Sequence, residues 1–175
     1  MKYVCRRIIK KRNSYSFLLF DKKKQVGSFE GNIGNNRELI TAIHIDKNYQ
    51  GKGIGLKYFI RLYNYLDECK PIKSIAGSWH LGEEFGDYKG GMSTNLRLFL
   101  DCSLHEKNKV KCAFSTPTGK WAKHLRYNKC KILRSTEQDV EVLFQKDESN
   151  KIAKRLQRIK YTSVYRFKTY VGERL

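Results

Sequence analysis

Three glycines at alternate positions, in the stretch Gln50-Gly51-Lys52-Gly53-Ile54-Gly55, join two runs of different periodicity. Before them, residues 39–45 alternate Leu39, Thr41, Ile43 and Ile45 against Ile40, Ala42 and His44, a period of two that predicts a strand. After them, Leu56, Phe59, Ile60, Tyr63 and Leu66 recur at helical spacing, with Lys57, Arg61 and Asn64 opposite, and Pro71 lies just past the expected helix end. A strand, a glycine turn and an amphipathic helix in this order place backbone N–H groups at a helix N-terminus, where the macrodipole and the unpaired donors favour an anion. Spacing excludes two common phosphate loops. The pattern GxxxxGK[ST] is absent, and GxGxxG fails because Leu56 follows Gly55.

The rest of the chain predicts an α/β fold. Residues 3–9, 14–21 and 26–30 read as strands ahead of residues 39–45, with turns at 22–24 and at 32–36. Tyr15, Phe17 and Leu19 on one side of 14–21, and Leu18 and Phe20 on the other, predict a strand buried on both faces. Residues 72–78 form the next strand. A glycine-rich loop over 82–91 follows, flanked by Trp79 and Tyr88, and then come helices over 94–104 and 116–125. Thr94-Asn95 reads as a helix cap. Residues 130–133 and 140–144 read as an antiparallel pair. Trp79, Phe85 and Tyr88 either line a pocket or anchor the loop.

The spacing Gln50-x-x-Gly53-x-Gly55 after a hydrophobic strand end resembles the pyrophosphate loop of the GNAT superfamily of N-acetyltransferases, and the order of elements is similar to that family's over about residues 3–146. The resemblance implies a GNAT fold, a mixed central β-sheet flanked by helices, over a domain at 1–148. It implies acetyl-CoA as cofactor, with the backbone of Ile43 and Ile45 along the pantetheine arm and Gln50, Gly51, Lys52, Gly53, Ile54 and Gly55 at the pyrophosphate. Residues 118–127 resemble the family's fourth-helix segment, with Arg126 and Tyr127 standing where the family has Gly and Phe. The stretch 82–111 is longer than the family pattern and reads as an insertion.

Acyl transfer from a thioester to an amine needs a group to take the amine proton. The family's usual acid position is Ala122 here, and its usual base positions are Thr41 and Leu39; none of these side chains can serve. His44 on the strand and Glu38 at its start are the candidate bases, followed by Glu83 and Glu84 in the loop. His44 has the opposite parity to Thr41 and should face the other side of the sheet.

Charge bears on partners. Thirty-six Lys and Arg against seventeen Asp and Glu give a formal +19, a field that attracts nucleic acid, an acidic protein or a phosphorylated cofactor. The acceptor is therefore expected to be an amine on an acidic or nucleic-acid-linked molecule. The alternative is a nucleic-acid-binding protein on a GNAT scaffold with weak or no catalysis. Residues 149–175 read as a basic C-terminal extension packed on the core, with Ile152, Leu156 and Ile159 at helical spacing and eight Lys or Arg against Glu173.

The five cysteines, at 5, 69, 102, 112 and 130, are odd in number and form no CxxC pair. This predicts free thiols, a reducing compartment and a cytoplasmic protein without a signal peptide or membrane span. Cys102, His105 and Cys112 have some zinc-like character but no fourth ligand, so no metal is expected.

Overall fold

The computed structural model describes residues 3–11, 14–82 and 91–147. Its strands are β1 (Tyr3–Lys11), β2 (Ser14–Asp21), β3 (Lys24–Ile33), β4 (Glu38–Ile45), β5 (Ser74–His80), β6 (Tyr127–Ser135) and β7 (Asp139–Lys146). Its helices are α1 (Ile54–Cys69), α2 (Thr94–His105), α3 (Lys109–Ser115) and α4 (Pro117–His124). The strands form one mixed sheet in the order β1-β2-β3-β4-β5-β7-β6. Neighbours are antiparallel except β4 and β5, which run parallel because α1 carries the chain from one to the other. This is the mixed sheet with flanking helices expected from the sequence.

Register fixes which residues share a face. Phe17 lies opposite Phe29 and Phe29 opposite Ile43. Farther along, Leu39 lies opposite Ile75, Ile75 opposite Phe144 and Phe144 opposite Cys130. All of these belong to one core cluster with Phe59, Leu62 and Leu66 of α1, Leu96 and Phe99 of α2, Cys112 and Ala113 of α3 and Ala122 of α4. The four helices therefore press on the same face of the sheet. Burying each large apolar side chain there contributes about 1.5–3 kcal/mol, so this one layer supplies most of the hydrophobic stabilisation.

That arrangement corrects the reading of β2 as buried on both sides. Tyr15, Phe17 and Leu19 are buried under α1, whereas Leu18 and Phe20 are only half-buried on the far face. It also explains the alternation of burial in β4, β5 and β7, where Ile40, Ser78 and Gln145 are exposed beside buried Leu39, Trp79 and Phe144.

Between β5 and β6 the chain differs from expectation in two details. The first is α3, which hydrophobic periodicity did not reveal because its seven residues present only Cys112 and Ala113 to the core. The second is the cap of α2. Ser93, not Thr94 or Asn95, accepts from the Leu96 N–H, while the Asn95 side chain accepts from the Thr118 N–H and joins α2 to α4. Thr116 closes α3 and opens α4: its hydroxyl donates to Ala113 O at 2.7 Å and accepts from Gly119 N at 3.1 Å. The two helices approach so closely that a Cβ on Gly119 would lie 2.1 Å from Ala113 O. After α4, Arg126 takes a left-handed φ of 66°, the conformation for which a glycine would be the ordinary choice. Tyr127 then enters the core, fully buried, with its hydroxyl bonded to Ile72 O at 3.1 Å and to the Tyr63 hydroxyl at 2.7 Å. Burial pushes its phenol pKa up, and the Tyr63 hydrogen bond adds to the shift.

The reading of free cysteines throughout is corrected at Cys102 and Cys112. The hairpin of α2 and α3 brings their Cα atoms to 5.5 Å, within bonding geometry, and they form a disulfide. Both sulfurs are thereby withdrawn from any metal set with His105. Cys69 is free and exposed, and Cys130 is free and half-buried, with burial raising its thiol pKa to about 11.

The bond closes a loop with a sequence separation of 10. In the chain-entropy account, a loop of this size confines the unfolded chain enough to contribute about 2–3 kcal/mol. Reduction by a thiol reagent is expected to lower the unfolding free energy by that amount in urea titrations, with two additional titratable thiols appearing in the unfolded, reduced protein.

Candidate functional site

The site begins where β4 and β5 part. Their ladder consists of Glu38 with Ser74, Leu39 with Ile75 and Ile40 with Ala76. Beyond Ile40 the register finds no further partner, although β4 continues to Ile45 and β5 to His80. On its other side β4 stays paired with β3 through Ile45. Residues 41–45 thus turn an edge with no β5 ladder toward the opening, a row of backbone groups suited to an extended ligand.

The glycine loop closes the wide end of this opening. Asp46 N–H donates to Val26 O, and a short 3-10 turn, Lys47–Tyr49, leads into the loop. Gly51 and Gly53 both have left-handed φ values, 71° and 70°. A Cβ at either would meet nothing within 4 Å, so the turn's outer surface is open. Gly53 is the N-cap of α1 and supplies no side-chain cap, which leaves the first-turn N–H groups of α1 pointing outward. With φ values of this kind flanking Lys52, the loop presents N–H donors and the positive end of a 16-residue helix to the same space.

Side chains hold the loop in that shape. The Gln50 amide donates to Ile45 O at 2.8 Å, so this glutamine braces the turn. Lys52 Nζ donates to Asn48 O at 2.8 Å and lies 5.5 Å from the centre of the Tyr49 ring. Lys24 stands 5.9 Å from the same ring, and the Tyr49 hydroxyl donates to Asp21 at 3.2 Å. Ile54 is buried with Leu19, Val26 and Tyr58, against Ile45 and Tyr49, and this small cluster anchors the helix start to the sheet. Of the residues read from sequence as cofactor contacts, Gly51, Gly53 and Gly55 shape the loop, Lys52 adds charge, and Gln50 and Ile54 support it through their side chains.

Gly55 has a different neighbour. A Cβ there would lie 3.2 Å from the Trp121 indole of α4, and Trp121 also packs on Phe59 with ring centres 5.2 Å apart. Trp121 therefore seals the α1–α4 seam beside the opening. It lies in the family-like segment 118–127, where the sequence pattern assigns it no role. Its signal was the large ring on an otherwise polar helix. A small apolar cavity lies beneath the same turn, lined by Leu19, Ile43, Ile45, Gly55, Tyr58 and Phe59.

The candidate bases lie far apart. His44 is on the far face of β4, with its side chain 41% exposed and Nε2 at 3.7 Å from Asp46 Oδ1. Glu38 begins β4 within the closed part of the ladder, about 20 Å along the strand from Ile45. One of its carboxylate oxygens, Oε2, is buried with no hydrogen-bond partner among the described residues. Glu83, Glu84, Phe85 and Tyr88 lie outside the described residues. Trp79 is buried against Phe99, with ring centres 6.0 Å apart, so its indole anchors β5 to α2. No cluster of three or more His, Cys, Asp or Glu among the described residues could hold a metal ion. No described helix is long and apolar enough to cross a membrane.

The left-handed backbone at Gly53 makes a direct test of the loop. Gly53→Ala meets no steric obstacle, so its cost is conformational only, about 1–2 kcal/mol. Urea unfolding should show that loss, and Gly53→Asn, which tolerates this region better, should show less.

No protein-family model matches the chain, and no curated protein matches it. Among solved structures it is similar to a chimera of spermidine N-acetyltransferase SpeG from Vibrio cholerae and hSSAT, at 15% identity and a TM-score of 0.44, over 77% of this chain and 67% of that one. It is also similar to the PaiA N-acetyltransferase from Thermoplasma acidophilum in complex with coenzyme A (13% identity, TM-score 0.43, 76% of this chain and 61% of that one). A third is the N-acetyltransferase PseH from Campylobacter jejuni in complex with acetyl coenzyme A (10% identity, TM-score 0.42, 78% and 71%). At such identities the functional reading rests on the loop, the helix terminus and the parted strands.

Proposed function

We propose that this chain is an acetyl-CoA-dependent N-acetyltransferase of the GNAT type. The observation that carries the reading is the coincidence of three features at one end of the sheet: the parting of β4 from β5 after Ile40, the open glycine turn, and the uncapped N-terminus of α1. An anionic group at the turn would complete the donors that the helix leaves unpaired. The residues present fit such a cofactor. The N–H groups following Gly51 and Gly53 would hold its pyrophosphate, Lys52 would add charge, and the backbone of Ile43 and Ile45 would lie along its extended arm.

When bound, acetyl-CoA supplies an activated thioester. The protein's part is to hold the acceptor amine beside it and to take up the amine proton. We assign that proton to His44, whose imidazole is half-exposed beside the Asp46 carboxylate and stands on the strand that borders the opening. Asp46 would orient the ring and stabilise it once protonated. Glu38 pairs with Ser74 inside the closed β4–β5 ladder, whereas His44 lies on the parted stretch where the arm would run, and this favours His44 over it. Ala122 offers no proton to the departing thiolate, which would take one from solvent. The acceptor is an amine on an acidic or nucleic-acid-linked molecule, the class that a net charge of +19 draws to the surface.

Calorimetry on the intact protein is expected to detect acetyl-CoA binding, weakened at least tenfold by Gly53→Val; no binding to the intact protein would overturn the proposal. With an anionic amine acceptor, thiol release should proceed, and His44→Ala should slow it by about 10²–10⁴-fold with cofactor affinity unchanged. Salt-dependent RNA binding without any thiol release would instead identify a binding protein.

A further inference from the structure

All four helices lie on one side of the sheet, and among the described residues no helix covers the other. The centre of that bare face is apolar. Register places Ile40, Ala76 and Leu143 side by side on the adjacent strands β4, β5 and β7. Ile40 is 45% exposed, and Ala42, two residues on, is exposed on the same side. The small side chains of Ala42 and Ala76 stand beside the larger Ile40 and Leu143 in this row. Three carboxylates lie near it on β3, β4 and β7. Glu30 lies opposite Ala42, Glu141 lies two residues from Leu143, and Glu38 has the buried oxygen that lacks a partner. On the β6 side Lys131 lies opposite Leu143 and is exposed, while Lys129 pairs with Asp147 and Arg134 with Asp139.

We infer that this face is the docking surface for the chain's own C-terminal segment, residues 148–175. Three observations converge on that occupant. The first is position. Gln145 pairs with Ser74, which pairs with Glu38, so β7 delivers the chain to the edge of the bare face where Glu38 stands. The second is chemistry. The segment carries Ile152, Leu156 and Ile159 at helical spacing among Lys151, Lys154, Arg155, Arg158 and Lys160, an apolar stripe bordered by cations that matches the apolar row Ile40, Ala76 and Leu143 with Glu30 and Glu141 at its margins. The third is length. In helical form the stripe from Ile152 to Ile159 would span about 10–12 Å. The distance from β7 across β5 to β4 is about 10 Å. Residues 147–151 suffice to make the turn onto the face. Seated there, the cations would meet Glu38 and Glu141, and the sheet would become a layer covered on both sides. This inference does not depend on the acyl-transfer reading.

The test uses the full chain with p-benzoylphenylalanine in place of Leu156, irradiated at low protein concentration after nuclease treatment and mapped by peptide mass spectrometry. Intramolecular adducts within residues 38–44, 74–80 or 141–145 are expected. Introducing Ala76→Glu in the same chain should lower their yield at least several-fold while near-UV circular dichroism stays unchanged. Adducts on α1–α4, adducts between chains that grow with concentration, adducts to residual nucleic acid, or no adducts would each overturn the inference. If Ala76→Glu fails to fold, Ile40→Asp, at a position already 45% exposed, provides the same comparison.

Discussion

The ring of Phe59 is the contact on which the rest of the architecture turns. It meets Phe29 on the sheet with ring centres 6.3 Å apart, Tyr63 on its own helix at 6.4 Å and Trp121 on α4 at 5.2 Å. Through Phe29 it fixes α1 above β2 and β3; through Trp121 it fixes α4 against the first turn of α1. The helix terminus that carries the glycine loop is therefore set by aromatic packing one turn farther along. Removing so large a buried ring from a core of this density costs about 3–5 kcal/mol, but the more specific consequence would be a change in where the α1 terminus points.

Much of this arrangement was legible in the sequence because the relevant signals are local. Strand β2 begins and ends where its alternation does. The period of α1 follows from Phe59, Tyr63 and Leu66, and its start follows from the glycines, whose left-handed φ values at 51 and 53 are conformations that other residues adopt at a cost. The spacing of Gln50, Gly53 and Gly55 pointed to an anion-binding turn, and the open, uncapped terminus has the form such a turn requires.

What the sequence could not convey depends on partners distant along the chain. Residues 14–21 are apolar on both sides, yet among the described residues only one side is covered, because coverage depends on which face α1 packs against. Cys102 and Cys112 read as an incomplete metal set with His105 until the α2–α3 hairpin joins them in a disulfide. Gln50 resembles a ligand in the motif, but its amide is spent on Ile45 O. Arg126 stands where a glycine was expected and still takes the left-handed conformation, so the backbone requirement persists although the residue type does not. Helix α3 has too few turns for periodicity to register.

The site separates binding from chemistry. In the proposed reading its binding parts are mostly backbone: N–H groups at a helix terminus, left-handed turns and a strand edge without a β5 partner. Backbone groups impose few side-chain requirements beyond glycine, so such a turn can be built in sequences that share little else. Proton transfer, as proposed, requires a titratable side chain at the right point, and the candidates on β4 are His44 near the parted strands and Glu38 at the opposite end. Strand parity then places His44 on the side of the sheet away from the helices. An acceptor using it must approach from that bare face, the same surface that the apolar row Ile40, Ala76 and Leu143 occupies. Access to the reaction and coverage of the sheet thus meet on a single surface.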